Sequence, residues 1–252
     1  MLKTQLDKYI IEYETKDFIK DDPVQFVHRF KTKQDNEISG FIASMFAYGK
    51  REVFISKLDY IFNLMENSPI DYVKAFDYKS NNIKDCDYRF SKDCDLVQIL
   101  KILNKLYSEN ETLESLFKYG YEQKNDVWHM FQVVVDYFYS NVEDKSVTKG
   151  FYHLLPDPKK KSAMKRFNML LRWFVRKSEV DIGIWNFVPK SELLIPLDTH
   201  VAKISRSLGL LKRNDNGFES VIELTNNLKI FDKDDPIKYD FALFGYGVNH
   251  KI

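Results

Sequence analysis

An amine and a carboxylate stand at the starts of two amphipathic segments. Lys165 lies in Ala163-Met-Lys-Arg-Phe-Asn-Met-Leu-Leu-Arg-Trp-Phe-Val-Arg176, and Asp198 in Ile195-Pro-Leu-Asp-Thr-His-Val-Ala-Lys-Ile-Ser-Arg-Ser-Leu-Gly-Leu-Leu211. Facing one cleft, such a pair suits attack at a sugar carbon of DNA. A neutral amine is a nucleophile, and a nearby carboxylate takes its proton or stabilises developing positive charge. Each residue also has an ordinary reading. Lysines are mostly solvated, and aspartate is a preferred helix N-cap, worth ~0.5–2 kcal/mol over alanine. His200, in the first turn after Asp198, is either a pocket residue or a structural one. The chain has no HExxH or comparable metal-ligand spacing, so no metal site is expected.

At ~100° per residue, Lys165, Arg172 and Arg176 return to one side of their helix. Met164, Phe167, Leu171 and Phe174 take the other. The helix is therefore expected to anchor by its apolar stripe and to show a basic one. Lys159, Lys160 and Lys161 add positive charge at its mouth, where a helix start and lysines together suit a phosphate. Phe90, Trp173 and Trp185 offer π-faces on which a base can stack. In a chain with 20 Phe and 15 Tyr, packing in the core is the competing reading for each.

The elements that must position these groups read as helices. Nine glycines and seven prolines in 252 residues leave long stretches unbroken, and strand-like alternation is scarce. Helical spacing predicts elements over 4–18, 37–47, 51–66, 95–107, 111–119, 126–140, 163–176, 217–229 and 235–246, besides the one after Asp198. Asp21-Asp22-Pro23 looks like another helix start. Residues 77–95 are polar and read as loop, with Tyr88-Arg89-Phe90 an aromatic-basic island. Residues 178–195 read as a connection with a short helix near Asp181–Trp185. No repeat or flexible linker is visible.

Composition bounds the rest. Hydrophobic residues make up 44% and aromatics 15%, enough for a real core. The net charge of +1 neither favours nor excludes nucleic acid; only a local patch decides that. Cys86 and Cys94 form no CxxC pair, so reduced thiols in a cytoplasmic protein are expected. The first residues have no apolar signal core, and no run approaches the ~20 apolar residues of a membrane span.

Pro196-Leu-Asp-Thr-His-Val201 resembles the aspartate motif of the helix-hairpin-helix DNA glycosylases, the endonuclease III and 8-oxoguanine glycosylase group. Lys165-Arg-Phe-Asn-Met-Leu-Leu-Arg172 is similar to that superfamily's lysine helix. The wider chain resembles the uncharacterised bacterial family DUF2400, within or near that superfamily. Its matching segments include Glu37-Ile-Ser-Gly-Phe-Ile-Ala-Ser-Met-Phe-Ala-Tyr-Gly-Lys-Arg51, Tyr88-Arg-Phe90, Asn168-Met-Leu-Leu-Arg-Trp173, Val180-Asp181 and Tyr239-Asp-Phe-Ala-Leu-Phe-Gly245.

The resemblance implies an all-α, two-lobed, DNA-glycosylase-like fold: one domain, residues 1–252, of two interleaved lobes with a cleft between them. It implies a base-excision glycosylase acting on double-stranded DNA with a flipped damaged base, an oxidised purine such as 8-oxoguanine being favoured. An abasic-site lyase step would follow through a Schiff base. Lys165 falls on the nucleophile and Asp198 on the catalytic aspartate, with Lys177 a second-ranked lysine. Lys165 must be neutral to attack, and Arg172 and Arg176 are the cations expected to help. Tyr48 and Arg51, beside Gly49, fall where the superfamily probes the lesion, although a plain helix–helix turn explains Gly49 equally well. Arg89, Phe90, Lys160, Lys161, Arg172, Trp173, Arg176, Trp185 and His200 complete the expected DNA- and base-binding set. The chemistry needs no cofactor, and a bacterial location near the nucleoid follows if the chain binds DNA. Two departures stand out. The superfamily's glycine-rich turn is replaced by the glycine-free Lys159-Lys-Lys-Ser-Ala-Met164, and 33 positions separate Lys165 from Asp198, more than is common. The archaeal 8-oxoguanine glycosylases resemble this chain in both respects. A non-catalytic DNA-binding protein of the same fold is the alternative.

Overall fold

A computed structural model describes residues 1–109, 111–143 and 147–250. In chain order the α-helices are α1 (Leu2–Tyr13), α2 (Lys16–Ile19), α3 (Gln25–His28), α4 (Lys33–Phe46), α5 (Arg51–Leu64), α6 (Pro69–Ala75), α7 (Asp93–Ser108), α8 (Leu113–Glu122), α9 (Val127–Ser140), α10 (Lys149–Leu154), α11 (Lys165–Val175), α12 (Thr199–Ser207), α13 (Phe218–Lys229) and α14 (Tyr239–His250). Among the described residues there is no strand, only isolated bridges at Tyr88–Ser91 and Lys177–Ile182. The fold class is all-α. No helix among them is long and apolar enough to cross a membrane.

The chain divides into two compact units. One comprises residues 1–24 with 159–252, the other residues 25–158. In the first, α14 packs along α1 and also against α12. Its core includes Leu6, Phe167, Leu170, Leu171, Phe174, Ile204, Leu224 and Phe241. In the second, α3 packs on α4, α6 on α7 and α8 on α9, around a stacked Phe41–Phe138 pair with ring centroids 5.2 Å apart. Each such buried aromatic contributes roughly 1.5–3 kcal/mol of hydrophobic stabilisation.

Three sequence expectations change. The helix expected over 4–18 is two, because Thr15 is extended (φ −128°, ψ 163°) and starts α2. The preceding Glu14 side chain turns away to pair with Arg176. No helix forms at Asp181–Trp185. Instead the amides of Ile182 and Gly183 bond the carbonyl of Trp173, at 2.9 and 3.2 Å, and the Trp185 amide bonds the carbonyl of Phe174 at 2.7 Å. These carbonyls belong to the last turn of α11 and would otherwise lack partners. Finally, α6 and α10 were not expected. Each is only two turns or less, too short for a periodic signal, although Pro69 sits early in the first turn of α6 as helix starts favour.

Candidate functional site

The turn that launches α11 is unusual. Lys161 (φ 53°) and Met164 (φ 49°) both take left-handed backbone without being glycine, at a cost of about 1–2 kcal/mol each. Tertiary contacts hold the turn in place. The Lys161 carbonyl accepts the Phe218 amide at the start of α13 (2.9 Å), and Met164 is buried. The Asn168 side chain donates to the Ala163 carbonyl at 3.0 Å. The glycine-free turn thus adopts backbone that glycine favours. Lys160 and Lys161 are exposed on it.

Asp198 is the N-cap of α12. Its Oδ1 accepts the amides of His200 and Val201, both at 2.9 Å. The approach to it is buried through Ile195, Pro196 and Leu197, and the Ile195 amide is tied to Thr225 Oγ1 at 3.1 Å. Gly209 (φ 72°) closes the far end of α12 in a left-handed turn, with its amide and that of Leu210 bonding the carbonyls of Arg206 and Ser205. With Oδ1 occupied by the cap, Oδ2 faces Lys165 Nζ at 3.9 Å. The two side chains are 29% and 43% exposed, so the pair is reachable from solvent. The ordinary reading of Asp198 as a cap is therefore true, and it leaves the second oxygen aimed at the amine. His200 is exposed in the same turn, and its ring lies against Gly247 of α14: a Cβ there would come 2.8 Å from His200 Nε2. Lys177 is exposed, its backbone bridged to Ile182.

The basic stripe requires correction. Arg172 and Arg176 are each 3% exposed, not displayed. Arg172 bonds Asp181 (3.2 Å) and Asp240, and lies over the Phe241 ring. Arg176 bonds Asp181, Glu14 (2.9 Å) and Asp235 (2.8 Å). Burial alone would weaken each guanidinium's hold on its proton. The carboxylates, Asp181 first, outweigh it and hold both above the ordinary arginine range. Arginines so neutralised by carboxylates do not serve as open phosphate contacts. Trp173 and Trp185 require the same correction. Both are buried in the core, Trp185 edge-on to Phe174, and neither offers a free face to a base.

Asp240, at the start of α14, was given no role from the sequence. Burial pushes its carboxyl up to about 6; Arg172 opposes this, Asp198 adds to it and Lys165 opposes it. Asp240 is thus electrostatically coupled to both members of the candidate pair. Its place directly after the Asp235-Pro236 helix signal was the available clue. Among the described residues, no three of His, Cys, Asp and Glu group as a metal would need.

The remaining expected residues lie in the second unit. Tyr48 is half-buried, and Arg51 opens α5 on the surface. Arg89 and Phe90 are both exposed on a tight turn.

A family model described as "Protein of unknown function (DUF2400)" matches residues 22–249. The chain belongs to the DUF2400 family. No curated protein and no solved structure matches it. The DUF2400 match spans Lys165, Asp198, Arg172, Arg176, Asp181, Asp235 and Asp240. Only Glu14 of the buried ion network lies outside it.

Proposed function

We propose that this DUF2400 chain is a base-excision DNA glycosylase with an accompanying abasic-site lyase step. One observation carries the reading: Lys165 Nζ lies 3.9 Å from a carboxylate oxygen of Asp198 whose partner oxygen is locked in a helix cap. A carboxylate held in this way is preorganised, so it need not reorient as charge develops. The strained turn before Lys165 supports the reading, since strain of this kind concentrates at functional sites. Phosphate contacts would come from Lys160, Lys161 and the α11 start, because Arg172 and Arg176 are already paired.

The steps follow from these groups. Lys165 gives a proton to Asp198, the 3.9 Å gap being bridged by a water or closed as substrate binds. The neutral amine attacks C1′ of a flipped nucleotide. The bond from C1′ to the base breaks, and the base leaves with the electron pair and takes up a proton. Opening of the sugar ring gives a Schiff base between Nζ and C1′. Water then hydrolyses it to free Lys165 and an abasic sugar. Alternatively, loss of a C2′ proton expels the 3′ phosphate and cleaves the strand. An oxidised purine such as 8-oxoguanine is the first base to test.

The test is borohydride trapping on duplexes carrying single defined lesions. A covalent adduct that vanishes in Lys165→Ala is expected. No adduct with any lesion, but salt-sensitive duplex binding, would instead favour the non-catalytic DNA-binding protein. Failure to bind duplex at low salt overturns both.

A further inference from the structure

In the second unit, a two-residue turn carries Arg89 and Phe90 at its tip. The amide of Tyr88 bonds the Ser91 carbonyl and the amide of Ser91 bonds the Tyr88 carbonyl, both at 2.9 Å. Arg89 takes left-handed backbone at φ 52°. The base of the turn is clamped. Tyr48 Oη donates to the Tyr88 carbonyl at 2.8 Å and lies 2.8 Å from Ser91 Oγ. Tyr88 Oη in turn donates to the Tyr48 carbonyl, and both Tyr88 and Ser91 are buried. On the other side, Gly150 at the start of α10 packs so closely that a Cβ would come 2.1 Å from the Phe90 carbonyl.

This rigid mount presents an aromatic ring to water: Phe90 is 56% exposed. The His153 ring flanks it at 4.9 Å between centroids, and the Arg89 guanidinium lies over one face of the ring, 5.7 Å from its centre. Gly49 lies against Arg89, a Cβ there meeting Arg89 Cδ and Nη1 at 2.9 Å. Lys50 and Arg51 follow Gly49 in the chain and are exposed. Of the neighbouring charges, Lys92 is already matched by Asp87 at 2.6 Å, and Glu52 follows Arg51 on α5. One pinned ring among cations is too little apolar area for a peptide helix or strand, which needs a continuous patch. It suffices for a base, because any base stacks on a single π-face while its phosphate meets a cation.

We propose that the Arg89–Phe90 turn binds an unpaired nucleotide of single-stranded DNA, the base stacked on Phe90 and its phosphate held by Arg89. The site lies wholly within the second unit and does not require Lys165 chemistry.

The test titrates the full chain against a short fluorescein-labelled oligothymidine across a range of salt, read by anisotropy. Phe90→Ala is expected to weaken binding about tenfold, within the range alanine substitution gives at base-stacking aromatics, while Phe90→Tyr stays within about twofold. Arg89→Gly suits the left-handed backbone and removes one phosphate contact, so the slope of log affinity against log salt should fall by about 0.7. Equal affinity of Phe90→Ala and the parent chain overturns the proposal. Competition by polyglutamate as effective as that by unlabelled oligothymidine overturns it too, by indicating a general anion surface. A borohydride adduct persisting in Phe90→Ala beside unchanged oligothymidine binding would refute this site and leave the glycosylase reading standing.

Discussion

Replacing Arg176 with Met separates two accounts of α11. If Arg176 were an open phosphate contact, the change would weaken DNA binding and leave stability near the parent's. The structure requires the reverse. Arg176 is 3% exposed and bonds Glu14, Asp181 and Asp235. Met fills similar volume but leaves three carboxylates facing a site with no guanidinium. Asp181 keeps Arg172, whereas Asp235 and Glu14 lose their buried cation. Removing one partner from a buried ion pair costs about 3–5 kcal/mol. In a chain of this size each kcal/mol moves Tm by roughly 2–4 °C, so a fall on the order of 10 °C is expected. Thermal melts followed by circular dichroism at neutral pH measure it. Arg176→Met with Glu14→Gln should recover part of the loss, because one stranded charge is gone. A Tm within about 2 °C of the parent, together with a large loss of duplex affinity, would refute the buried-network account.

At the candidate pair, Lys165→Ala should move stability by no more than about 1 kcal/mol, as for partly exposed ion pairs. Asp198→Asn should also melt near the parent, since asparagine caps as well as aspartate, yet give no borohydride adduct; Asp198→Ala should lose about 1 kcal/mol through the cap. Adduct formation at the parent's rate by Asp198→Asn would remove the aspartate from the chemistry. Asp240 predicts a pH dependence of fixed sign. Its carboxyl is raised by burial from 3.8 to about 6, so the folded chain holds this proton more tightly than the unfolded one. The resulting stability is present below about pH 4 and lost as pH rises through about 6, on the order of 3 kcal/mol in all. Urea unfolding from pH 4 to 7 should reveal this decline in the parent relative to Asp240→Asn. Parallel profiles would show that Asp240 does not titrate as its burial requires.

The sequence by itself determined the helical class and most long helices, and it singled out Lys165 and Asp198 as a candidate pair. The 3.6-residue period and the cap signals are local, and the Asp198 cap with its Gly209 stop is readable from neighbours alone. Local reading also placed Lys165, Arg172 and Arg176 on one side of a helix; α11 ends at Val175, and Arg176 is its extended C-cap. Local reading did not determine what that side meets. A stripe of arginines reads the same whether water or carboxylates cover it, and the carboxylates come from Glu14, Asp181, Asp235 and Asp240, three of them more than fifty residues away. Trp173 and Trp185 failed for the same reason, because an aromatic residue is equally compatible with a core and with a binding face. The 3.9 Å approach of Lys165 to Asp198 likewise depends on α13 holding both the turn before α11 and the segment before α12. Which charges are buried and which remain open is set by long-range packing, because the cost of desolvating an ion is decided by partners brought from elsewhere in the chain.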